Sequence, residues 1–114
     1  MKNRSNCVLI TLAALLVLAI PVFLLAAGDA TAGKATYDKK CATCHGKLGE
    51  GNPNLAKTLK VEFRHLGSKE VQAKNDDELK KIITEGTEKK KPVKGLTDDD
   101  LANVIAYMRT LAQK

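Results

Sequence analysis

The feature that most constrains this chain is the pentapeptide Cys41-Ala42-Thr43-Cys44-His45, in which histidine directly follows two cysteines three positions apart. Residues three apart on a helix share a face, so both thiols can reach the two vinyl groups along one side of a porphyrin. His45 can then present its imidazole to the iron as an axial ligand. C-x-x-C-H is the attachment signature of haem c, and it predicts one covalent haem c held by Cys41, Cys44 and His45.

Other uses of the two cysteines fit the sequence less well. A structural zinc site needs about four ligands, and after residue 32 only His65 could add a nitrogen or sulfur ligand to those of the pentapeptide, since the third cysteine, Cys7, lies in the N-terminal apolar run. A thioredoxin-like redox pair would accompany a β-α-β pattern, which the sequence lacks. A disulfide between Cys41 and Cys44 would close too tight a loop to stabilise the fold much.

The first 32 residues predict a signal peptide or an N-terminal membrane anchor. Two basic residues precede a nearly unbroken apolar run over residues 7–27. Ala30-Thr31-Ala32 offers a cleavage site before Gly33, and Ala26-Ala27-Gly28 offers a second one. The run approaches the ~20 residues that span a bilayer, which keeps the uncleaved anchor open. Either form predicts a periplasmic or otherwise extracytoplasmic domain.

The remaining residues, 33–114, predict one small domain. Removing Lys2, Arg4 and Asp29 from the 19 basic and 13 acidic residues leaves 17 and 12, a net charge of +5. Only Tyr37, Phe63 and Tyr107 supply aromatic side chains after the leader. A domain of this size often needs a cofactor to complete its core, and a porphyrin would supply the missing apolar mass.

The pattern of apolar residues predicts an all-α domain with about three main helices around the haem. A first helix is expected over Gly33–Cys44, a short one around Leu55–Leu59, and another from a cap at Asn75 or Asp76 to about Glu85. Residues 61–74 and 87–96 are expected to form loops.

The last helix has the clearest signals. Thr97 is the expected N-cap, with Asp100 three positions on as its partner in a capping box. An apolar stripe then follows at helical spacing, formed by Leu101, Val104, Ile105, Met108 and Leu111.

Four segments together resemble the small class I bacterial cytochromes c. They are Gly-Lys-Ala-Thr-Tyr at 33–37, the pentapeptide with Gly46, Gly-Asn-Pro-Asn-Leu at 51–55, and Ala-Tyr-Met-Arg-Thr-Leu at 106–111. The resemblance covers essentially all of residues 33–114. It implies a small cytochrome c fold whose first and last helices cross near Gly33, Tyr37 and Tyr107. It also implies that the carbonyl of Pro53 accepts a hydrogen bond from Nδ1 of His45.

The sixth iron ligand departs from that family, which usually places a methionine just before or near the proline of the last loop. This chain has Lys89-Lys90-Lys91-Pro92 there, and Met108 falls on the apolar stripe, as expected of a core residue. The remaining candidates are Lys90, Lys91, His65, and water or an empty site; no strong protein ligand is the first expectation at neutral pH, and Lys90 or Lys91 is the next. A lysine must lose its proton to bind iron, which costs about 4.6 kcal/mol at pH 7. His65 bears almost no such cost but lies in the middle loop.

These features predict a carrier of single electrons between redox proteins, which is not itself an enzyme. Lysines in the loops that flank the haem of the related fold could steer it toward an acidic partner: Lys47, Lys57, Lys60, Lys89, Lys90, Lys91 and Lys94. An open sixth position would instead favour a haem-based binder or sensor of small ligands. A third possibility is the anchored electron-input subunit of a larger complex. The scarcity of aromatics gives little support to nucleic-acid binding.

Overall fold

The computed structural model describes residues 28–114, so the apolar run of the predicted leader lies outside the described residues. Residues 28–114 form helices and loops without any strand, which confirms the all-α prediction. The helices are α1 (Ala30–Lys40), α2 (Ala42–His45), α3 (Pro53–Leu59), α4 (Lys69–Gln72), α5 (Asp76–Glu85) and α6 (Asp98–Thr110). None of these helices combines the length and apolar character needed to cross a membrane.

Helix α6 begins as its sequence predicts. The Thr97 hydroxyl accepts the Asp100 N–H at 3.1 Å, and the Asp100 carboxylate accepts the Thr97 N–H at 3.0 Å. This capping box satisfies two donors that a helix N-terminus otherwise leaves unpaired. The residues of the apolar stripe form the centre of the core, apart from the half-buried Leu111.

Helix α5 also follows its sequence signals. Asn75 is the N-cap and forms a second capping box with Glu78. Gly86 ends the helix at φ +75°, a conformation that favours glycine over residues with a Cβ. Leu79 and Ile83 face the core and are buried.

The first helix differs from the expected range 33–44 at both ends. It starts at Ala30 because the Asp29 carboxylate caps it, accepting the N–H groups of Thr31 and Ala32 at 2.8 and 3.3 Å. It ends at Lys40 because Cys41 has φ −122°, which lies outside the helical region. A new single turn, α2, then carries the rest of the pentapeptide.

Helices α1 and α6 form the main contact of the fold, and they cross as the resemblance implies. A Cβ on Gly33 would clash with the backbone carbonyl of Asn103, so only glycine permits this approach. The rings of Tyr37 and Tyr107 pack at the crossing with centroids 5.1 Å apart. Tyr37 is completely buried.

Arg109 of α6 attaches the middle of the chain, together with a hydrogen bond from the Gln72 side chain to the Met108 carbonyl at 3.0 Å. Arg109 donates hydrogen bonds to the carbonyls of Gln72 and Lys74 at 2.9 and 2.7 Å, and to the Asp76 carboxylate at 2.7 Å. The segment 61–74 is mostly loop, as expected, although the single turn α4 interrupts it. These bonds fix the end of that segment against the last helix.

Candidate haem attachment site

One helical turn carries all three residues of the predicted attachment site. The carbonyl of Cys41 accepts the N–H groups of Cys44 and His45 at 3.2 and 2.9 Å. Gly46 then ends the turn at φ +79°. The backbone therefore places two thiols and one imidazole within one compact turn directly after α1.

The two cysteines are half-buried free thiols, so both sulfurs are available for covalent chemistry. Burial raises the pKa of the Cys41 thiol, which favours the neutral S–H form. Within residues 28–114, no three His, Cys, Asp or Glu side chains converge on a position that could hold a metal ion directly. The donors fit the two vinyl groups and the iron of one porphyrin better than they fit zinc.

A loop folds back under the attachment turn and holds it. The N–H of Gly51 donates to the carbonyl of His45 at 2.6 Å, and the N–H of Asn52 donates to the carbonyl of Cys44 at 2.9 Å. The Asn52 side chain donates to the carbonyl of Thr43 at 3.1 Å and also caps α3. The sequence analysis did not single out Asn52, although Asn followed by Pro is a helix-start signal that could have identified it.

Tyr37 fixes the far end of the same turn. Its hydroxyl donates a hydrogen bond to the carbonyl of Gly46 at 2.7 Å. Burial raises the pKa of Tyr37, so the hydroxyl remains a donor throughout the physiological range. The first helix is thereby connected to the residue that follows His45.

The imidazole of His45 is held by packing rather than by the expected hydrogen bond. Phe63 meets its ring edge-on, with centroids 5.7 Å apart. Burial, followed by the positive charge of Lys90, lowers the pKa of His45 and favours the neutral ring that can bind iron. Nδ1 is buried without a partner, so the expected bond to the Pro53 carbonyl is wrong. Pro53 opens α3, where carbonyl oxygens point along the helix axis toward the next turn.

Several apolar side chains between residues 53 and 82 are not fully covered by the protein, and one of them, Phe63, contacts His45. No residue of α3 is buried, and Leu59 at its end is 56% exposed. Four further residues of this kind are only half-buried: Leu55, Val61, Phe63 and Ile82. An apolar macrocycle is the kind of group that would cover such surface, so the residues present fit a haem.

The three adjacent lysines of the last loop differ in their exposure. Lys89 and Lys91 are exposed, whereas Lys90 is half-buried. Burial lowers the pKa of Lys90, and the nearby Cys41 and Cys44 oppose this shift. Of the three lysines, Lys90 is therefore the one that is partly shielded from solvent.

His65 lies with the loop that supports His45. The N–H of Gly67 donates to Nδ1 of His65 at 2.9 Å. The neighbouring Leu66 N–H donates to the carbonyl of Gly49 at 2.9 Å, which fixes His65 beside the loop that follows His45. His65 is half-buried there, and its Nδ1 is already occupied by the Gly67 N–H.

Met108 occupies the core, as its place in the apolar stripe predicted. It is 6% exposed and packs among the buried residues of α6. A methionine in that position could reach the iron only by leaving the core.

Comparison with known proteins places this architecture in a family. Residues 28–108 match the family model described as cytochrome C oxidase, cbb3-type, subunit III. Cytochrome c-554(547) of Halothiobacillus neapolitanus is 34% identical over 90 residues, covering 75% of this chain and 99% of that protein. Cytochrome c-555 of Chlorobaculum tepidum is 36% identical over 90 residues, covering 70% of this chain and 74% of that protein.

Two further matches agree with these. Cytochrome c6 of Rippkaea orientalis is 34% identical over 91 residues, covering 76% of this chain and 75% of that protein. The solved structure of the KustC0563 c-type cytochrome superposes with a TM-score of 0.60 at 28% sequence identity, covering 71% of this chain and 98% of that one. The same small helical fold is present in both chains.

Proposed function

Because this chain belongs to the family of small monohaem c-type cytochromes, we propose that it carries single electrons between redox proteins outside the cytoplasm. The cofactor of this family is covalently bound haem c, whose iron supplies the one-electron change. The observation that carries the proposal is the single turn that presents two free thiols and one imidazole, with the half-buried Phe63 packed against that imidazole. A carrier of this kind is not itself an enzyme.

Cys41, Cys44 and His45 are the residues that would hold the haem. Each cysteine would add its S–H across one vinyl double bond, forming a thioether without loss of any atom. His45 would donate one ring nitrogen to the iron. The protein otherwise contributes positioning and exclusion of water, for which the packing of Phe63 and the hydrogen bonds beneath the turn are suited.

The lysines that flank the site suit a redox partner with an acidic docking surface. Six lysine side chains in these loops are exposed: Lys47, Lys57, Lys60, Lys89, Lys91 and Lys94. Their charges would speed the encounter with an acidic partner and lose effect as salt screens them. The opposite dependence, faster transfer at higher salt, would argue against an acidic partner.

A redox titration of the haem-loaded protein tests the electron-carrier function. A carrier should be oxidised and reduced reversibly with the slope of a single-electron change and should exchange electrons rapidly with a small cytochrome c. Irreversible oxidation, or electron exchange that stays slow at every ionic strength, would reject the proposal. A Lys57→Glu, Lys60→Glu variant should slow exchange with an acidic partner and leave exchange with a neutral dye unchanged.

A haem-based binder of small ligands is the second candidate, favoured by the burial of Met108 away from the site. Carbon monoxide added to the reduced protein separates the two functions. Rapid, tight binding to the unmodified protein supports ligand binding, whereas an unchanged spectrum supports a six-coordinate electron carrier.

An anchored electron-input subunit is a narrower form of the carrier function, and the description of the matching family model as an oxidase subunit favours it. Membrane fractionation of the full chain decides between the two forms. Haem protein that stays with the membranes after a salt wash supports the subunit, and haem protein in the soluble fraction supports a free carrier.

A further inference from the structure

The last loop holds three adjacent lysines, of which only Lys90 is half-buried. We propose that the amine of Lys90 is the axial ligand opposite His45. The inference rests on the proposed function, since it requires a haem at the attachment turn. It assigns the sixth position to one residue and thereby closes that position to small ligands.

A compact turn sets the direction of Lys90. The N–H of Thr87 donates to the carbonyl of Lys90 at 2.8 Å, and the Thr87 hydroxyl accepts the N–H of Lys90 at 3.1 Å. The turn leaves Gly86 at φ +75° in close contact with the Lys90 carbonyl. The backbone of Lys90 is therefore fixed, and of the three adjacent lysines only Lys90 is half-buried.

The chain on either side of this turn is attached to the core. The N–H of Val93 donates to the carbonyl of Ile83 at 2.8 Å, which ties the end of the loop to α5. Val93 and Leu96 pack against the same core cluster as Cys41. The loop thus packs on the same core as the start of the attachment turn.

The side chain of Lys90 acts on the attachment turn. Its positive charge contributes to the lowered pKa of His45 and moderates the raised pKa of Cys41, so the amine is near both groups. Its Nζ donates a hydrogen bond to the carbonyl of Lys91 at 3.0 Å. This bond fixes the flexible end of the side chain on the backbone of the loop.

The alternatives fit the geometry less well. Lys91 is exposed, so its amine is directed toward solvent. His65 lies beside Gly49 and accepts a hydrogen bond at Nδ1 from the Gly67 N–H, and Met108 is in the core. Lys90 is the candidate that combines partial burial with a charge that interacts with both cysteines.

Binding of the Lys90 amine to iron would need no co-reactant. The ammonium releases one proton to solvent, and the nitrogen lone pair forms the bond to iron. The two hydrogens that stay on Nζ allow the bond to the Lys91 carbonyl to persist. No electron is transferred in this step.

The test compares Lys90→Ala with its matched control Lys91→Ala, both in the full haem-loaded protein. Near-infrared magnetic circular dichroism of the ferric form reports the axial ligands directly. The expected result is an amine-ligated, low-spin iron in the unmodified protein and in Lys91→Ala, and loss of that signature in Lys90→Ala. An unchanged signature in Lys90→Ala, or its loss only in Lys91→Ala, would overturn the assignment.

Carbon monoxide supplies a second readout. Its apparent affinity for the reduced protein should rise at least about tenfold in Lys90→Ala, because a position open roughly a tenth of the time weakens binding tenfold. Lys91→Ala should bind like the unmodified protein. Equal affinity in all three proteins would count against Lys90.

A second variant, which replaces the amine by another iron ligand, keeps the test decisive if Lys90→Ala does not fold. Lys90→Met should give a thioether signature and a higher reduction potential, whereas Lys91→Met should give neither. Covalent haem is measured in every variant by acid–acetone extraction. If the unmodified protein carries no covalent haem, the proposed function is refuted. If haem is bound but its axial ligation is the same whichever residue stands at position 90, only this inference is refuted.

Discussion

Removing the hydroxyl of Tyr37 should destabilise the domain by a predictable amount. Tyr37→Phe keeps the buried ring and its packing on Tyr107 but leaves the Gly46 carbonyl without its donor, which lies at 2.7 Å. A carbonyl that loses its partner costs about 1–3 kcal/mol, and the half-buried position of Gly46 places the expected loss near ~1.5 kcal/mol. At about 4–8 °C per kcal/mol for a domain this small, the midpoint should fall by about 6–12 °C.

Tyr107→Phe is the matched control, because it deletes a hydroxyl from the other ring of the same pair. Its bond to the Lys47 carbonyl is longer, at 3.3 Å, and should contribute only about 0.5 kcal/mol. Urea unfolding of the two haem-loaded variants, followed by circular dichroism, gives both free energies. Equal losses, or no loss in Tyr37→Phe, would refute the view that Tyr37 fixes the attachment turn.

Three further predictions follow from the first and last helices. Gly33→Ala should lower the free energy of unfolding by several kcal/mol in denaturant titrations, because the added Cβ would clash with the Asn103 carbonyl. A loss below about 1 kcal/mol would contradict the close approach of the two helices. Hydrogen bonds from Thr97 lower the pKa of Asp100 in the folded protein. The carboxylate therefore stabilises the fold at pH values above the pKa that Asp100 has in the unfolded chain, and this stabilisation is lost as the pH falls through the lower pKa of the folded state. Asp100→Asn should remove this part of the acid dependence of the thermal melting temperature. A cleaved leader should leave a mature N-terminus no later than Asp29 in mass spectra, since cleavage before Gly33 would remove the cap of α1.

The helices that could be predicted from the sequence are those with local signals. Thr97 with Asp100 and Asn75 with Glu78 carry their start signals within four residues, and the structure shows both capping boxes. The start of α1 was misplaced because Asp29 was assigned to the leader, although the same carboxylate caps the helix. Targeting and capping signals overlap there, and sequence alone gives no means of ranking them.

The turn of the attachment site could be predicted from the sequence, but the contacts around that turn could not. The spacing of Cys41, Cys44 and His45 specifies a shared turn, and the structure contains that turn. Lys90 is the half-buried lysine because of a turn closed by Thr87. Sequence spacing alone does not distinguish Lys90 from its two neighbours. The surroundings of His45 also depend on contacts distant in sequence, so the bond expected from the resemblance was wrong while the packing of Phe63 was missed.

The central claim is that one haem is bonded covalently to Cys41 and Cys44. The most direct measurement is a pyridine haemochrome spectrum of the full chain, matured in a host with a cytochrome c assembly system and then extracted with acid–acetone. The claim predicts that haem stays with the polypeptide and is lost from Cys41→Ala, Cys44→Ala. Colourless polypeptide with both thiols free, or haem retained by the double variant, would contradict it.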